Sequence, residues 1–165
     1  MKRIKVINEP TELVPMLRAV DTPVKRQVFM EVSNGWVTAK QIEDKFGQEG
    51  KDALAFFEKM KLVESMWQSA DDKSQEKAYH TYYMSFHINT SCPVTEISDI
   101  LAIAVMSNKE FDVLEKEIHE LIGDEGMFEG DVSEKQKISP TMLKAMVKRS
   151  TRLEYRGHRV ERIED

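Results

Sequence analysis

Residues 22–47, TPVKRQVFMEVSNGWVTAKQIEDKFG, contain the signals that decide the fold. Thr22 followed by Pro23 is typical of a helix start, because threonine caps free backbone N–H groups and proline has no N–H to leave unpaired. Thr38 and Gln41 have the spacing of a capping box, which predicts a second helix start. A glycine follows each helix. The stretch therefore predicts two short helices joined by a turn.

The flanking sequence extends this pattern in both directions. On the N-terminal side, Thr11 is predicted to cap an earlier helix. On the C-terminal side, apolar spacing predicts a helix over about 48–61. Residues 66–67 then indicate a strand, 71–74 a polar turn, and the alternation over 82–88 a half-buried return strand. Helices followed by a hairpin are the order of a winged helix-turn-helix domain, in which the hairpin is the wing.

The middle of the chain predicts two helices, beginning near Thr95 and at the capping box that starts with Ser107. The first is apolar nearly all round, so it needs burial on more than one side. The second carries apolar residues in a heptad-like series. We therefore expect residues 92–123 to form a helical linker that also holds a homodimer together.

The C-terminal part repeats the helical pattern on a smaller scale. A helix is predicted over 127–136, a second over 140–150 after a serine-proline cap, and a tight hairpin over 153–163. The predicted fold class is α+β, mainly α. It has a winged helix at 1–91, the helical linker at 92–123, and a second small winged helix-turn-helix at 124–165.

Charge is distributed unevenly along the chain, whose formal net charge is −5. Residues 135–162 hold nine Lys or Arg against two acids, giving +7, and the remainder holds 15 against 27, giving −12. A polarised chain has one part that attracts a polyanion. A solvated basic surface without a partner is the alternative interpretation.

The predicted helix over 140–150 combines an apolar face with a small, cationic face made by Thr141, Lys144, Ala145 and Lys148. Such a face suits the DNA major groove, where lysine meets phosphates or guanine edges. Arginines continue the positive surface into the hairpin, whose tip is expected to touch the backbone or minor groove. The predicted DNA-binding residues are Thr141, Lys144, Lys148, Arg149, Arg152, Arg156, Arg159 and Arg162.

The corresponding N-terminal helix, over about 48–61, is a useful control. Its outward residues carry no net charge. Because phosphate neutralisation dominates DNA affinity, this helix is predicted to be the poorer DNA reader. It is available instead for dimerisation or for a protein partner.

Two resemblances support this interpretation. The phrase PTELVPMLRAVDTPVKRQVFMEVSNGWVTAKQIEDKFG (residues 10–47), with the hairpin around Trp67, resembles the ArsR-like (arsenic-repressor-like) winged-helix regulators of archaea. This implies a homodimeric, DNA-binding transcription regulator. The phrase SPTMLKAMVKRSTRLEYRGHRVERI (residues 139–163) looks like a second helix-turn-helix. Metal-sensing members carry paired cysteines, whereas this chain has Cys92 alone, so no metal sensing is expected.

Other functions are not supported by the sequence. His80 and His87 have opposite parity in the predicted strand, so they are not expected to share a metal, and Cys92 could approach only His87. No phosphate-binding glycine loop or catalytic set is evident, so we expect no enzyme, no cofactor and no catalytic residue. The longest apolar run, 100–106, is too short for a membrane span, and a single cysteine suits a reducing cytoplasm.

One alternative stays open: a non-catalytic winged-helix module that binds a protein partner in a transcription or other assembly. Exposure of the cations discriminates between the two. DNA binding requires Lys144, Lys148 and the hairpin arginines on one open face. A protein-docking module would hide several of them against its own acids.

Overall fold

Seven α-helices and eight short strands make up residues 3–164, the part of the chain that the computed structural model describes. They belong to two units, each with its own core. Unit 1 comprises Met1–Val6 and Met16–Ile88, and unit 2 comprises Ile7–Pro15 and Asn89–Asp165. The predicted class, α+β and mainly α, is confirmed.

The first half of the chain forms one short 3₁₀ turn, three helices and five strands. They are β1 (Ile4–Ile7), the 3₁₀ turn (Pro10–Glu12), α1 (Leu13–Arg18), α2 (Pro23–Asn34), β2 (Val37–Thr38), α3 (Ala39–Lys59), β3 (Val63–Ser69), β4 (Gln75–Thr81) and β5 (Ser85–Ile88).

Unit 1 is a winged helix. Thr22 Oγ1 accepts a hydrogen bond from Lys25 N at 3.2 Å, and the capping box of Thr38 and Gln41 is reciprocal, so both predicted helix starts are confirmed. Gly47, at φ 65°, breaks α3 into the two helices of a helix-turn-helix. The antiparallel sheet has the order β2-β4-β3, and its β3-β4 hairpin is the wing.

The apolar side chains of α2 and of both halves of α3 form the core of unit 1. Phe57, Val28, Val32 and Ile42 are almost fully buried. Phe57 meets Phe29 edge-on, with ring centroids 5.5 Å apart.

Two expectations for the first half of the chain are wrong. The return strand of the hairpin is β4, at Gln75–Thr81, whereas residues 85–88 form β5, which pairs with β1 and is exposed at every position. Thr11 does not cap a helix but lies within the 3₁₀ turn, and its hydroxyl donates to Glu9. For β5, the strand distant in sequence with which it pairs determines the arrangement.

Unit 2 contains the remaining elements. They are α4 (Val94–Val105), α5 (Asn108–Ile122), β6 (Met127–Phe128), α6 (Glu129–Gln136), α7 (Pro140–Arg149), β7 (Leu153–Arg156) and β8 (Arg159–Arg162). From α5 onward, their order repeats that of α2, β2, the two halves of α3, and the β3-β4 hairpin. The sheet order β6-β8-β7 likewise repeats β2-β4-β3.

The core of unit 2 joins α4 and α5 to the elements that follow them. Ile103 and Ile118 pack in one cluster with Leu143 and Met146 of α7. Val14, from the segment Ile7–Pro15, is fully buried in the same cluster. The predicted linker at 92–123 therefore lies in the same unit as 124–165, which differs from the domain boundaries expected from sequence.

Candidate nucleic-acid interface

Each unit contains a segment of two helices followed by a hairpin, and these two segments differ in net charge. Residues 39–81 of unit 1 hold seven Lys or Arg and nine Asp or Glu, a net of −2. Residues 129–162 of unit 2 hold nine against five, a net of +4. Since the two segments have the same order of helices and strands, their net charges can be compared directly. The comparison favours residues 129–162 as the part of the chain that attracts a polyanion.

Unit 2 as a whole is acidic, with 11 Lys or Arg against 18 Asp or Glu, a net of −7. Unit 1 holds 13 against 11, a net of +2. The acids of unit 2 that lie outside 129–162 are concentrated in α4, in α5 and in the residues just after α5. Unit 2 therefore combines a basic segment at 129–162 with acidic residues in the rest of its sequence.

α7 presents a narrow polar stripe to solvent. Ser139 caps its start, with Oγ accepting from Met142 N at 3.0 Å and donating to Asp99 at 2.6 Å. Thr141, Lys144 and Lys148 are spaced three and four apart and are all partly exposed. Ala145, expected on this stripe, is fully buried, because α4 packs against α7 and widens its covered side.

Lys144 has a carboxylate neighbour from a distant part of the sequence. Its Nζ forms an ion pair with Glu9 Oε1, and both side chains are partly exposed. The 3₁₀ turn that follows Glu9 packs against α7. An acid therefore lies within the stripe that was predicted to contact DNA.

Arg149 does not extend the positive surface, so that prediction is wrong. The residue is only 5% exposed. Its guanidinium donates to Ile103 O and Met106 O, each at 2.7 Å, and to Asn108 Oδ1 at 3.0 Å. It also lies 4.3 Å from the centre of the Phe111 ring. This arginine closes the C-terminal end of α4, where helix carbonyls lack partners within the helix.

Arg152 and Arg162 lie beside α5. Arg152 Nη1 is 3.6 Å from the buried carboxylate of Glu115. Arg162 donates to His119 O at 3.0 and 2.7 Å and forms an ion pair with Asp124. Burial, followed by the positive charges of these two arginines, holds the pKa of His119 below its usual value. Both arginines retain charge near the surface but are engaged by their own unit.

The β7-β8 hairpin carries its cations at the tip. Gly157, at φ 62°, makes the turn. Arg156 is 66% exposed and lies between Glu154 and Glu161, at 3.2 and 3.3 Å. Arg159 donates to two carbonyl groups at the end of the segment 123–126, at 2.9 and 3.1 Å. Because backbone carbonyl groups carry no formal charge, these hydrogen bonds do not neutralise the positive charge of Arg159.

Sequence reasoning missed two lysines and one acid. Lys135, in the last turn of α6, and Lys137, just after α6, are exposed, and Lys137 has a left-handed conformation, φ 55°. Their position in the basic segment could have revealed them. Glu9 could not have been found, because no local pattern connects it to Lys144.

The half of α3 after Gly47, which corresponds to α7 in the order of elements, has a surface of mixed charge. Lys51 pairs with Glu43 at 3.5 Å, and Gln48 donates to Asp52 at 2.9 Å. Glu58 accepts hydrogen bonds from Ser65 and Lys77 of the wing. Cations are thus interleaved with acids along this helix.

The two candidate metal-binding histidines lie in different strands. His80 is in β4, where its ring stacks on Trp36 at 5.4 Å, and His87 is in β5. The expectation that both histidines alternate within one regular strand is therefore wrong. Across residues 3–164, no group of three or more His, Cys, Asp and Glu side chains is arranged to hold a metal ion.

The helix-turn-helix of unit 1 and its β3-β4 wing place the fold in the winged-helix class. The profile of the family described as ArsR transcriptional regulator matches residues 7–164, and the chain belongs to this family. A comparison with curated proteins finds no significant match. Within residues 3–164, every helix is too short or too polar to cross a membrane.

Proposed function

We propose that this ArsR-family regulator binds duplex DNA chiefly through unit 2, with the exposed stripe of α7 and the β7-β8 hairpin as contact surfaces. The observation that carries the proposal is the difference in charge between equivalent segments, +4 over 129–162 and −2 over 39–81. Phosphate neutralisation supplies most of the non-specific affinity for DNA, so the more positive of two similar surfaces binds more tightly.

Each part of the surface has a distinct role in the proposal. Thr141, Lys144 and Lys148 face the major groove, where lysine binds phosphates or guanine edges. Arg156 and Arg159 at the hairpin tip contact the backbone or the minor groove. Arg152 and Arg162 contribute to the local potential from their positions beside α5. Arg149 is left out of the proposed surface because it is buried.

Matched charge reversals test the proposal. Lys144→Glu with Lys148→Glu should lower affinity for a random-sequence duplex by on the order of tenfold or more and flatten its salt dependence, because two phosphate contacts are lost. Lys51→Glu with Lys59→Glu makes the same charge change in unit 1 and should have a much smaller effect. Thermal melts establish that both variants fold. A larger loss from the unit 1 pair would show that the reading helix lies in unit 1.

We also propose that the chain is a homodimer, held by α4. Val94, Leu101 and Val105 are exposed on this helix, and Val105 is 79% exposed. They are spaced seven and four residues apart, so they form one apolar row. Pairing this row with a second copy would bury it and bring two basic segments together for paired half-sites.

A protein-binding role remains the second candidate, since several cations of unit 2 are engaged by its own acids. Lys144 pairs with Glu9, Arg152 with Glu115, and Arg156 with Glu154 and Glu161. This candidate gains support if neither pair of lysine variants changes DNA affinity.

A further inference from the structure

We propose that Glu9 limits the affinity of this protein for DNA by competing with DNA phosphate for Lys144 and Lys148. The inference rests on the proposed function of the α7 stripe. It gives the segment Ile7–Pro15 a regulatory role that its packing alone does not require.

The segment is anchored by contacts that do not involve Glu9. Ile7 O accepts from Asn89 N at 2.9 Å, and Asn8 O accepts from Thr90 Oγ1 at 3.2 Å. Val14 is fully buried in the core of unit 2. The 3₁₀ turn Pro10–Glu12 packs against both α7 and α4. The backbone at Glu9 is therefore held beside α7 whatever its side chain does.

The carboxylate of Glu9 is oriented toward the stripe. One oxygen, Oε1, pairs with Lys144 and accepts from Thr11 Oγ1 at 3.2 Å. Thr11 is buried, which fixes the position of its hydroxyl. The side chains of Glu9 and Lys144 remain 39% and 44% exposed, so an incoming phosphate can reach the pair.

Glu9 is charged at neutral pH. Burial acts to raise the pKa of its carboxyl, but the hydrogen bond and charge of Lys144, together with Thr11 and Lys148, outweigh burial and hold the pKa below its usual value. A phosphate of DNA carries one negative charge, as this carboxylate does. A phosphate that approaches Lys144 must therefore either displace Glu9 or accept repulsion from it, and both reduce net affinity.

Glu9→Gln tests the inference, with Glu12→Gln as the matched control. Glu9 precedes the 3₁₀ turn and Glu12 is its last residue, and each substitution removes one negative charge. Glu9 pairs with Lys144, whereas Glu12 does not. Glu9→Gln should raise affinity for a random-sequence duplex severalfold. It should also steepen the slope of log K against log salt by about 0.9, because one more lysine becomes available to a phosphate. Glu12→Gln should leave the slope unchanged.

A double-mutant cycle identifies the partner. In a Lys144→Ala background, the gain from Glu9→Gln should shrink, because the lysine that the carboxylate engages is gone. Thermal melts of each variant establish that unit 2 stays folded.

The outcomes separate this inference from the proposed function. If Glu9→Gln weakens DNA binding, or matches Glu12→Gln in affinity and slope, the inference is wrong, even when the Lys144 and Lys148 reversals abolish binding. If those reversals leave binding unchanged, the proposed function itself is wrong.

Discussion

At the scale of single residues, the position of Arg149 shows how a basic residue can stabilise the fold rather than recognise a ligand. Its guanidinium binds two carbonyls near the end of α4 and the side chain of Asn108, which starts α5. It thereby fixes the corner between two helices. In the sequence it is one of a run of cations, and only the tertiary structure distinguishes it from its neighbours.

Replacing Arg149 should therefore affect stability. Arg149→Met keeps much of the side-chain volume but removes every donor, leaving buried carbonyls unpaired, and should cost about 3 kcal/mol of unfolding free energy. Arg156→Met makes the same change at an exposed site and should stay within about 0.5 kcal/mol of wild type. Urea unfolding measures both. Equal losses of unfolding free energy in the two variants would show that the buried contacts of Arg149 stabilise the fold no more than the exposed side chain of Arg156 does.

His119 predicts a dependence of stability on pH. Burial and the charges of Arg152 and Arg162 hold its pKa below the usual value of 6.5, so below that pH the unfolded chain binds more protons than the folded one. The contribution of His119 to the free energy of unfolding is complete above pH 6.5. It is lost as the pH falls through the pKa that His119 has in the folded protein.

The measurement is urea unfolding at about pH 8 and pH 5.5, a window that lies above the carboxyl pKa values. Wild type should lose more stability between these pH values than His119→Gln does. His87→Gln, in the exposed strand β5, serves as the control and should behave as wild type. An identical loss in all three proteins would contradict the prediction.

At the scale of elements, helix starts with a side-chain cap and the β7-β8 hairpin could be predicted, whereas the two-residue strands could not. The capping boxes at Thr38 and Ser107 and the cap at Ser139 were predicted because each is encoded within four residues. β2 and β6 have two residues each, too few for any alternation to show. β5 shows alternation, but its partner is β1, far away in sequence, and not the hairpin.

The apolar row on α4 predicts the oligomeric state. Leu101→Glu with Val105→Glu places two charges in the proposed dimer interface and should raise the dimer dissociation constant by on the order of a hundredfold, because desolvated charges would lack partners. Val113→Glu alters an exposed apolar residue of α5 and should leave the dimer intact. Sedimentation at micromolar concentration is the measurement. A wild-type monomer, with and without DNA, would contradict the proposal.

At the scale of the whole molecule, the net charge of −5 conceals the distribution that matters. The basic segment could be found from the sequence, because like charges close along the chain are visible by counting. It could not locate the acids that face this segment. Glu9 and Glu115 are far from Lys144 and Arg152 in sequence, so their proximity is a property of the tertiary fold. Local charge patterns therefore overstate how freely such cations can bind a partner.

Unit 2 is built from two separate stretches of chain, with most of unit 1 between them. During synthesis, Ile7–Pro15 leaves the ribosome before residues 16–88 of unit 1, so it must remain unpaired while these residues emerge and begin to fold. It can pack against its partners only after α4 and α7 have been made. Contacts between such distant stretches form slowly, so unit 2 completes its core late. For the same reason, unit 2 cannot be obtained intact by truncating the chain. A fragment starting at Asn89 would lack Val14 and would expose the part of the core that this side chain fills.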